Sequence, residues 1–222
     1  MQAIVICTVN NVGLDVLLAS IKVYAPNIPV YLAGAKREGT IWLPNMESNF
    51  GDAYNVAIDC AFRDGYDSII MANDDVVLTP TTMKLMANDW DDLQDYSVGI
   101  MGARSDYVLP DQNIRVPIPD DKFIALQYVS ESCMKETSVI APIFAAISKK
   151  AWDTAKFPSI NWYSDNIICN DLAAAGYRHF VSRGYVHHAG SQTVGTDFTK
   201  CHEEPRAWIK ANRPDVYEEY YG

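Results

Sequence analysis

The sequence predicts a single α/β domain with a mostly parallel central sheet flanked by helices, and three observations lead there. Short apolar, β-branched runs alternate with stretches of helical spacing in the order strand, helix, strand, loop, helix, strand. Crossovers of that length join parallel strands rather than hairpins. The run from Ser68 to Ala72 is continuously apolar and ends in Asn73-Asp74-Asp75, as a strand buried on both faces ends where a parallel sheet collects ligands. Finally, the 222 residues are 49% hydrophobic and 21% charged, a soluble composition with enough apolar residues for a sizeable core.

The elements follow in order. Ala3 to Val9 reads as the first central strand, closing in the polar turn Thr8-Val-Asn-Asn11. Gly13 to Tyr24 carries Leu14, Leu17, Leu18, Ile21 and Val23 close to helical spacing and stops at Pro26. Pro29 to Ala33 is a second strand, and Ala35 to Asn49 lacks periodicity and reads as a loop. Gly51 to Asp64 repeats Ala53, Ala57, Ala61 beside Tyr54, Ile58, Phe62, so one helix face is apolar until Gly65. After the Ser68–Ala72 strand, Thr79-Pro80 signals a helix over Thr81 to Asn88.

Ser97 to Met101 is a further strand, and Gly102 to Glu136, with Pro110, Pro117 and Pro119, is a long irregular stretch of the kind that carries function. Val139 to Ile147 returns as a strand interrupted by Pro142, followed by a helix over Lys149 to Lys156. Asn161 to Asp165 leads into a helix reaching Ala175, closed by Gly176. Two short strands, His179 to Ser182 and Tyr185 to His188, are expected on either side of an Arg183-Gly184 turn. The tail from Glu203 to Tyr220 is partly helical, broken at Pro214.

The adjacent carboxylates Asp74 and Asp75 repel each other unless a cation sits beside them, and a hard divalent ion with oxygen ligands is the economical partner. A solvated turn is the plainer reading. It is not needed as a cap, because Thr79-Pro80 already supplies the start of the next helix. The formal net charge of -10 argues against a broad basic surface for nucleic-acid phosphates. The five cysteines, Cys7, Cys60, Cys133, Cys169 and Cys201, are odd in number with no Cys-x-x-Cys pair, so neither disulfides nor a zinc site is expected. No apolar run approaches the roughly 20 residues that cross a bilayer, and Met-Gln-Ala-Ile lacks a basic region ahead of an apolar core. A cytoplasmic location is therefore expected.

Taken together, Asn49-Phe-Gly-Asp-Ala-Tyr-Asn55, Ala57-Ile58, Gly65-Tyr66 and Ile69 to Pro80 resemble the inverting nucleotide-sugar glycosyltransferases of the GT-A fold, family two, especially the rhamnosyltransferase-like branch. Phe144-Ala-Ala-Ile-Ser-Lys149, Tyr163-Ser-Asp165, Gly176-Tyr177 and Val186-His-His-Ala-Gly-Ser191 extend the likeness over most of the chain. The resemblance implies a GT-A domain over 1–222, with a Rossmann-like nucleotide-sugar half at 1–103 and an acceptor and catalytic half at 104–222. It implies a nucleoside-diphosphate sugar as donor and Mn²⁺ or Mg²⁺ as cofactor.

The same resemblance puts Asn73-Asp74-Asp75 at the Asp-x-Asp position, Asp75 ligating the metal and Asn73 or Asp74 holding ribose or donor sugar. Asn73 stands where the usual first Asp would, keeping an oxygen but dropping a charge. Asp165 matches the catalytic base that takes a proton from the acceptor hydroxyl; capping its own helix is the plainer role. His187 and His188, adjacent in a strand, point to opposite faces, so only one faces the metal or diphosphate. Thr8 and Asn10 are implied to meet the base or ribose, with Asn49 and Asn55 also on the substrate side. Thr193 to Lys200 is implied to cover the diphosphate, with Lys200 as a charge partner.

Two other readings stand beside this one. A nucleotidyltransferase-like enzyme would carry a glycine-rich basic loop after the first strand, which Thr8-Val-Asn-Asn-Val-Gly13 lacks. A non-catalytic nucleotide-sugar-binding module would have no use for Asp75, Asp165 and the histidine pair together. A saccharide or glycan is the expected acceptor, with a hydroxylated DNA base as a less typical one.

Overall fold

The computed structural model describes residues 2–9, 13–44, 49–108, 111–114, 133–190 and 199–222. In the first half β1 (Gln2–Cys7), α1 (Gly13–Tyr24), β2 (Val30–Ala33), β3 (Ile41–Leu43), α2 (Phe50–Arg63), β4 (Ser68–Ala72), β5 (Val76–Leu78) and α3 (Thr82–Asp92) follow one another. The second half holds β6 (Val98–Ser105), β7 (Lys135–Thr137), β8 (Phe144–Ser148), α4 (Lys149–Trp152), α5 (Ser164–Ala174), β9 (Arg178–His188), α6 (Thr199–Glu203), α7 (Arg206–Asn212) and α8 (Pro214–Tyr221).

One sheet runs through the molecule in the order β3-β2-β1-β4-β8-β6-β9-β5, with β7 also on β9. The strands β3, β2, β1 and β4 are parallel; the pairing of β2 and β4 with β1 is the one expected from helical crossovers, while β3 joins β2 after a short loop. Beyond β4 the directions mix, because β8 runs antiparallel to both β4 and β6. Two reversals restore the original sense, and β9 runs parallel to β6. The ends of β1, β4, β6 and β9 therefore share one edge of the sheet.

Alternation along the strands makes two apolar layers. Ala3 and Val5 of β1 pack with Ile58 of α2, Trp152 of α4 and Ile168 of α5, all buried. Ile4 and Ile6 face the other way, against Leu14 and Leu17 of α1 and Met86 of α3. In α2 the apolar positions predicted from spacing, Ala53 to Phe62, are the buried ones, and each large side chain among them contributes roughly 1.5–3 kcal/mol. The last three helices stand apart, on their own small cluster of Ile160, Ile167, Ile209 and Val216.

Several expectations are corrected. The stretch Ala35 to Asn49 contains a short edge strand, β3, whose Ile41 and Trp42 are exposed and so carry no inward-outward pattern. β6 continues four residues beyond Met101, through Gly102 and Arg104, which hid it as a strand. α3 starts at Thr82 and runs to Asp92, with Thr79 N–H donating to the Thr82 hydroxyl at 2.8 Å. β8 starts only at Phe144, beyond Pro142, and α4 is a single turn. The two expected closing strands are one strand, β9. There, the fully buried Asp89 accepts from Ser182 Oγ, Arg183 N and Arg183 Nε, at 2.5–2.6 Å, so Arg183-Gly184 continues the strand instead of turning.

Candidate active site

Four strand ends and two helix starts build the site. β4 stops at Ala72, and Asn73 is fixed there by its N–H donating to Ile143 O at 2.8 Å. Asp74 and Asp75 form the turn into β5, both buried. On the neighbouring end of β1, Thr8 donates its hydroxyl to Asp74 Oδ2 at 2.5 Å, so the ends of β1 and β4 are joined by a polar pair. Tyr54 of α2 donates to Ala72 O at 2.8 Å, which sets the start of α2 at the same edge.

β9 brings the histidines, and its register on β5 decides between them: Val76 pairs with His188 and Val77 with His187. His188 is turned in, 9% exposed at its side chain, with Nε2 3.1 Å from Asp75 Oδ1. His187 is turned out, 55% exposed, with Nδ1 on Asp106 at 2.6 Å. The Tyr107 carbonyl lies on His188 Nδ1, and because a carbonyl only accepts, that nitrogen carries the proton. In the neutral ring the Nε2 lone pair then faces the Asp75 carboxylate. Burial pulls the His188 imidazolium down, yet the hydrogen bond and charge of Asp75, the Tyr107 carbonyl and Asp106 outweigh it and hold the group above its ordinary value.

Asp106 and Tyr107, at the end of β6, are site residues that sequence reading missed. Asp106 is buried and accepts from His188 N at 3.0 Å. Burial would raise its carboxyl, but that N–H and the His187 charge hold it below the usual range. The Tyr107 ring lies over Gly190, where a Cβ would fall 2.0 Å from the ring, and Gly190 has φ 64°. Only glycine closes β9 so tightly onto Tyr107. The signal available was an acid following a strand, as at Asp74, but the strand's polar end concealed it.

Asp165 reaches the same edge by a different route. Residues 157–161 dock on the start of α2: Phe50 N donates to Asn161 Oδ1 at 2.9 Å and Gly51 N to Ile160 O at 3.2 Å. Tyr163 then turns the chain with φ 64°, the left-handed region, and its carbonyl accepts from Ile167 N to open α5. Asp165 is the second residue of α5, inside the first turn rather than at the cap. Burial pushes its carboxyl up to about 6, against the N–H groups of Asn166 and Asp165 itself, which favour the ion. Its residue surface nonetheless stays partly open to solvent.

The remaining candidates divide. Asn49 is the N-cap of α2, accepting from Asp52 N at 2.9 Å and donating to its carboxylate. Asn55 clasps the Phe157 backbone, donating to its carbonyl at 2.8 Å and accepting from its N–H at 3.1 Å. Asn49 thus caps its own helix, whereas Asn55 ties the segment leading to Asp165 against α2. Lys200 is exposed in α6. Asn10, and 193–198 of the expected covering segment, lie outside the described residues. Cys7 and Cys169 are no nucleophiles: burial raises the Cys7 thiol far out of range and pushes Cys169 up to about 12.

Asp75 and His188 offer one hard oxygen and one imidazole nitrogen in a fixed tautomer, a fitting donor pair for a divalent cation. Among the described residues no group of three such side chains comes together. A cation held here would thus take its other ligands from substrate oxygens and water, as Mg²⁺ does at phosphate sites.

No protein-family model and no curated protein matches the sequence. Solved structures do share its fold. Residues 1-349 of S. aureus TarS in complex with UDP-GlcNAc superpose with a TM-score of 0.61 at 13% identity, covering 99% of this chain and 71% of that one. A second structure of S. aureus TarS 1-349 gives 0.56 at 13%, covering 99% and 70%. A197 from STIV gives 0.51 at 14%, covering 81% and 80%. No described helix is long and apolar enough to cross a membrane. At these identities the likeness establishes architecture, and the architecture is the mixed α/β fold of the GT-A type.

Proposed function

We propose that this chain is a metal-dependent, inverting glycosyltransferase that moves a sugar from a nucleoside-diphosphate donor to an acceptor hydroxyl. The single observation that carries the reading is the Asp75–His188 pair, its tautomer fixed by Tyr107, on the same sheet edge as a carboxyl raised to about 6 at Asp165. In this reading Asp75 and His188 hold Mn²⁺ or Mg²⁺. When bound, the cation supplies charge neutralisation for the departing diphosphate. Thr8, Asn73 and Asp74 line the donor crevice, and residues 1–103 form the donor half. Residues 104–222 form the acceptor half, where Asp165 takes the proton from the attacking hydroxyl so that the oxygen can displace the diphosphate from the opposite face.

A carboxyl held near 6 is ionised at neutral pH yet basic enough to accept a proton usefully. The complex of TarS with UDP-GlcNAc supports a UDP-sugar as the first donor to try. The net charge of -10 disfavours close approach of a phosphodiester backbone, which favours a saccharide or glycan acceptor over DNA. A panel of nucleotide sugars, read as nucleotide release with Mn²⁺ and with Mg²⁺, tests the proposal. One donor is expected to turn over well above the rest, and no release or binding with any of them would overturn it.

A further inference from the structure

The left-handed turn at Tyr163 does work that the residues of the site do not explain. Tyr163 is the one non-glycine residue with positive φ among the described residues, a conformation that disfavours a tyrosine and persists only where surroundings over-determine it. Those surroundings come from the carboxy-terminal helices. The Tyr163 ring stacks on Tyr220 with centroids 4.9 Å apart and lies 5.9 Å from Tyr221. Its hydroxyl meets His202 Nδ1 at 2.8 Å, and Tyr221 in turn donates to His202 O at 2.7 Å.

The same helices grip both sides of the turn. Glu204 accepts from Asn161, Tyr220 accepts from Asn170 at 3.1 Å, and Arg213 pairs with Asp171 at 2.9 Å. Contacts from α6, α8 and the turns that flank α7 thus fall on 161–171, the segment that carries Asp165 in its middle. Their apolar cluster is separate from the two layers on the sheet, so stabilising the main core does not by itself require them.

Resting on the function proposed above, we propose that Tyr163 is the positioning residue for Asp165, its backbone held left-handed by the α6–α8 clamp so that the base meets the acceptor in one orientation. The Asp165 charge in turn raises the Tyr163 and Tyr220 phenols and the Cys169 thiol, whereas burial sets its own elevation, against the N–H groups of Asn166 and Asp165 itself.

Glycine separates this role from simple structural fit. Tyr163→Gly removes the strain and the ring together, whereas Tyr163→Phe keeps the ring and loses only the His202 contact. The expected result for Tyr163→Gly is a transfer kcat lower by about 10- to 100-fold, the scale of a misplaced catalytic group, with donor KM and melting temperature little changed. Tyr163→Phe is expected to stay near the parent, and Tyr221→Ala to fall between them. A glycine variant that transfers at the parent rate overturns the proposal. Carbon-13 NMR titration of the aspartate carboxyls reads the same question without turnover. In Tyr163→Gly the Asp165 titration is expected to move down from about 6 toward an ordinary carboxyl, and an unmoved titration overturns the proposal. If Asp165→Asn itself transfers normally, the base assignment fails instead, and the two failures are distinguishable.

Discussion

Asp165 combines a favourable helix position with an unfavourable environment, and the two can be separated by pH. Its folded pKa of about 6 lies above the ordinary 3.8, so folding favours the protonated form. The associated stability is present below about pH 4 and is lost as pH rises through 6. Asp165→Asn should therefore raise the melting temperature at pH 7 and leave it nearly unchanged at pH 4. The same substitution should reduce transfer by about 10²–10⁴-fold with donor binding retained, and the parent's rate should fall as pH drops through 6. Parallel melting and transfer series would check all three. The histidines offer a second contrast at this scale. His188→Gln should weaken Mn²⁺ binding in the presence of UDP by about tenfold or more, while exposed His187→Gln changes it little, as titration calorimetry would show. Sequence parity alone placed the two on opposite faces. Which one turns inward depends on pairing with β5, a contact across more than a hundred residues that no local pattern encodes.

The docking of 157–161 on α2 is the element-level support for Asp165. A Cβ on Gly51 would lie 1.8 Å from Pro158 O, so this helical glycine is required by the approach of another chain segment. Replacing glycine by alanine inside a helix normally stabilises by about 1 kcal/mol. Here Gly51→Ala should destabilise by about 1–3 kcal/mol, the scale of overpacking, and should also lower transfer by moving the Asp165 turn. Urea denaturation gives the sign directly. Local pattern was enough for β1, β2, β4, α1 and α2, whose periodicity reflects burial on the sheet. It failed for β3, an exposed edge, and for the continuity of β9, which depends on Asp89 from a distant helix. Asn55 illustrates the same limit: its amide is bonded to the Phe157 backbone, 102 residues further along the chain, a contact no local pattern encodes.

At the scale of the molecule, one sheet carries Thr8, Asp74–Asp75, Asp106 and His188 to a single edge, and α2 draws Asp165 there as well. The acids at the end of β4 were legible because an apolar strand stops at them. Asp106 was not, because Gly102 and Arg104 interrupt its strand, and the role of the terminal helices was not, because their contacts on Tyr163 are entirely tertiary. The most direct measurement of the central claim is nucleotide release from the donor by the full chain, with Mn²⁺ or Mg²⁺ and in excess EDTA, for the parent and Asp75→Ala. Turnover in the parent is expected to disappear with EDTA, to return when metal is restored, and to be lost in Asp75→Ala under every condition. Full turnover in excess EDTA, or an active Asp75→Ala, would contradict it.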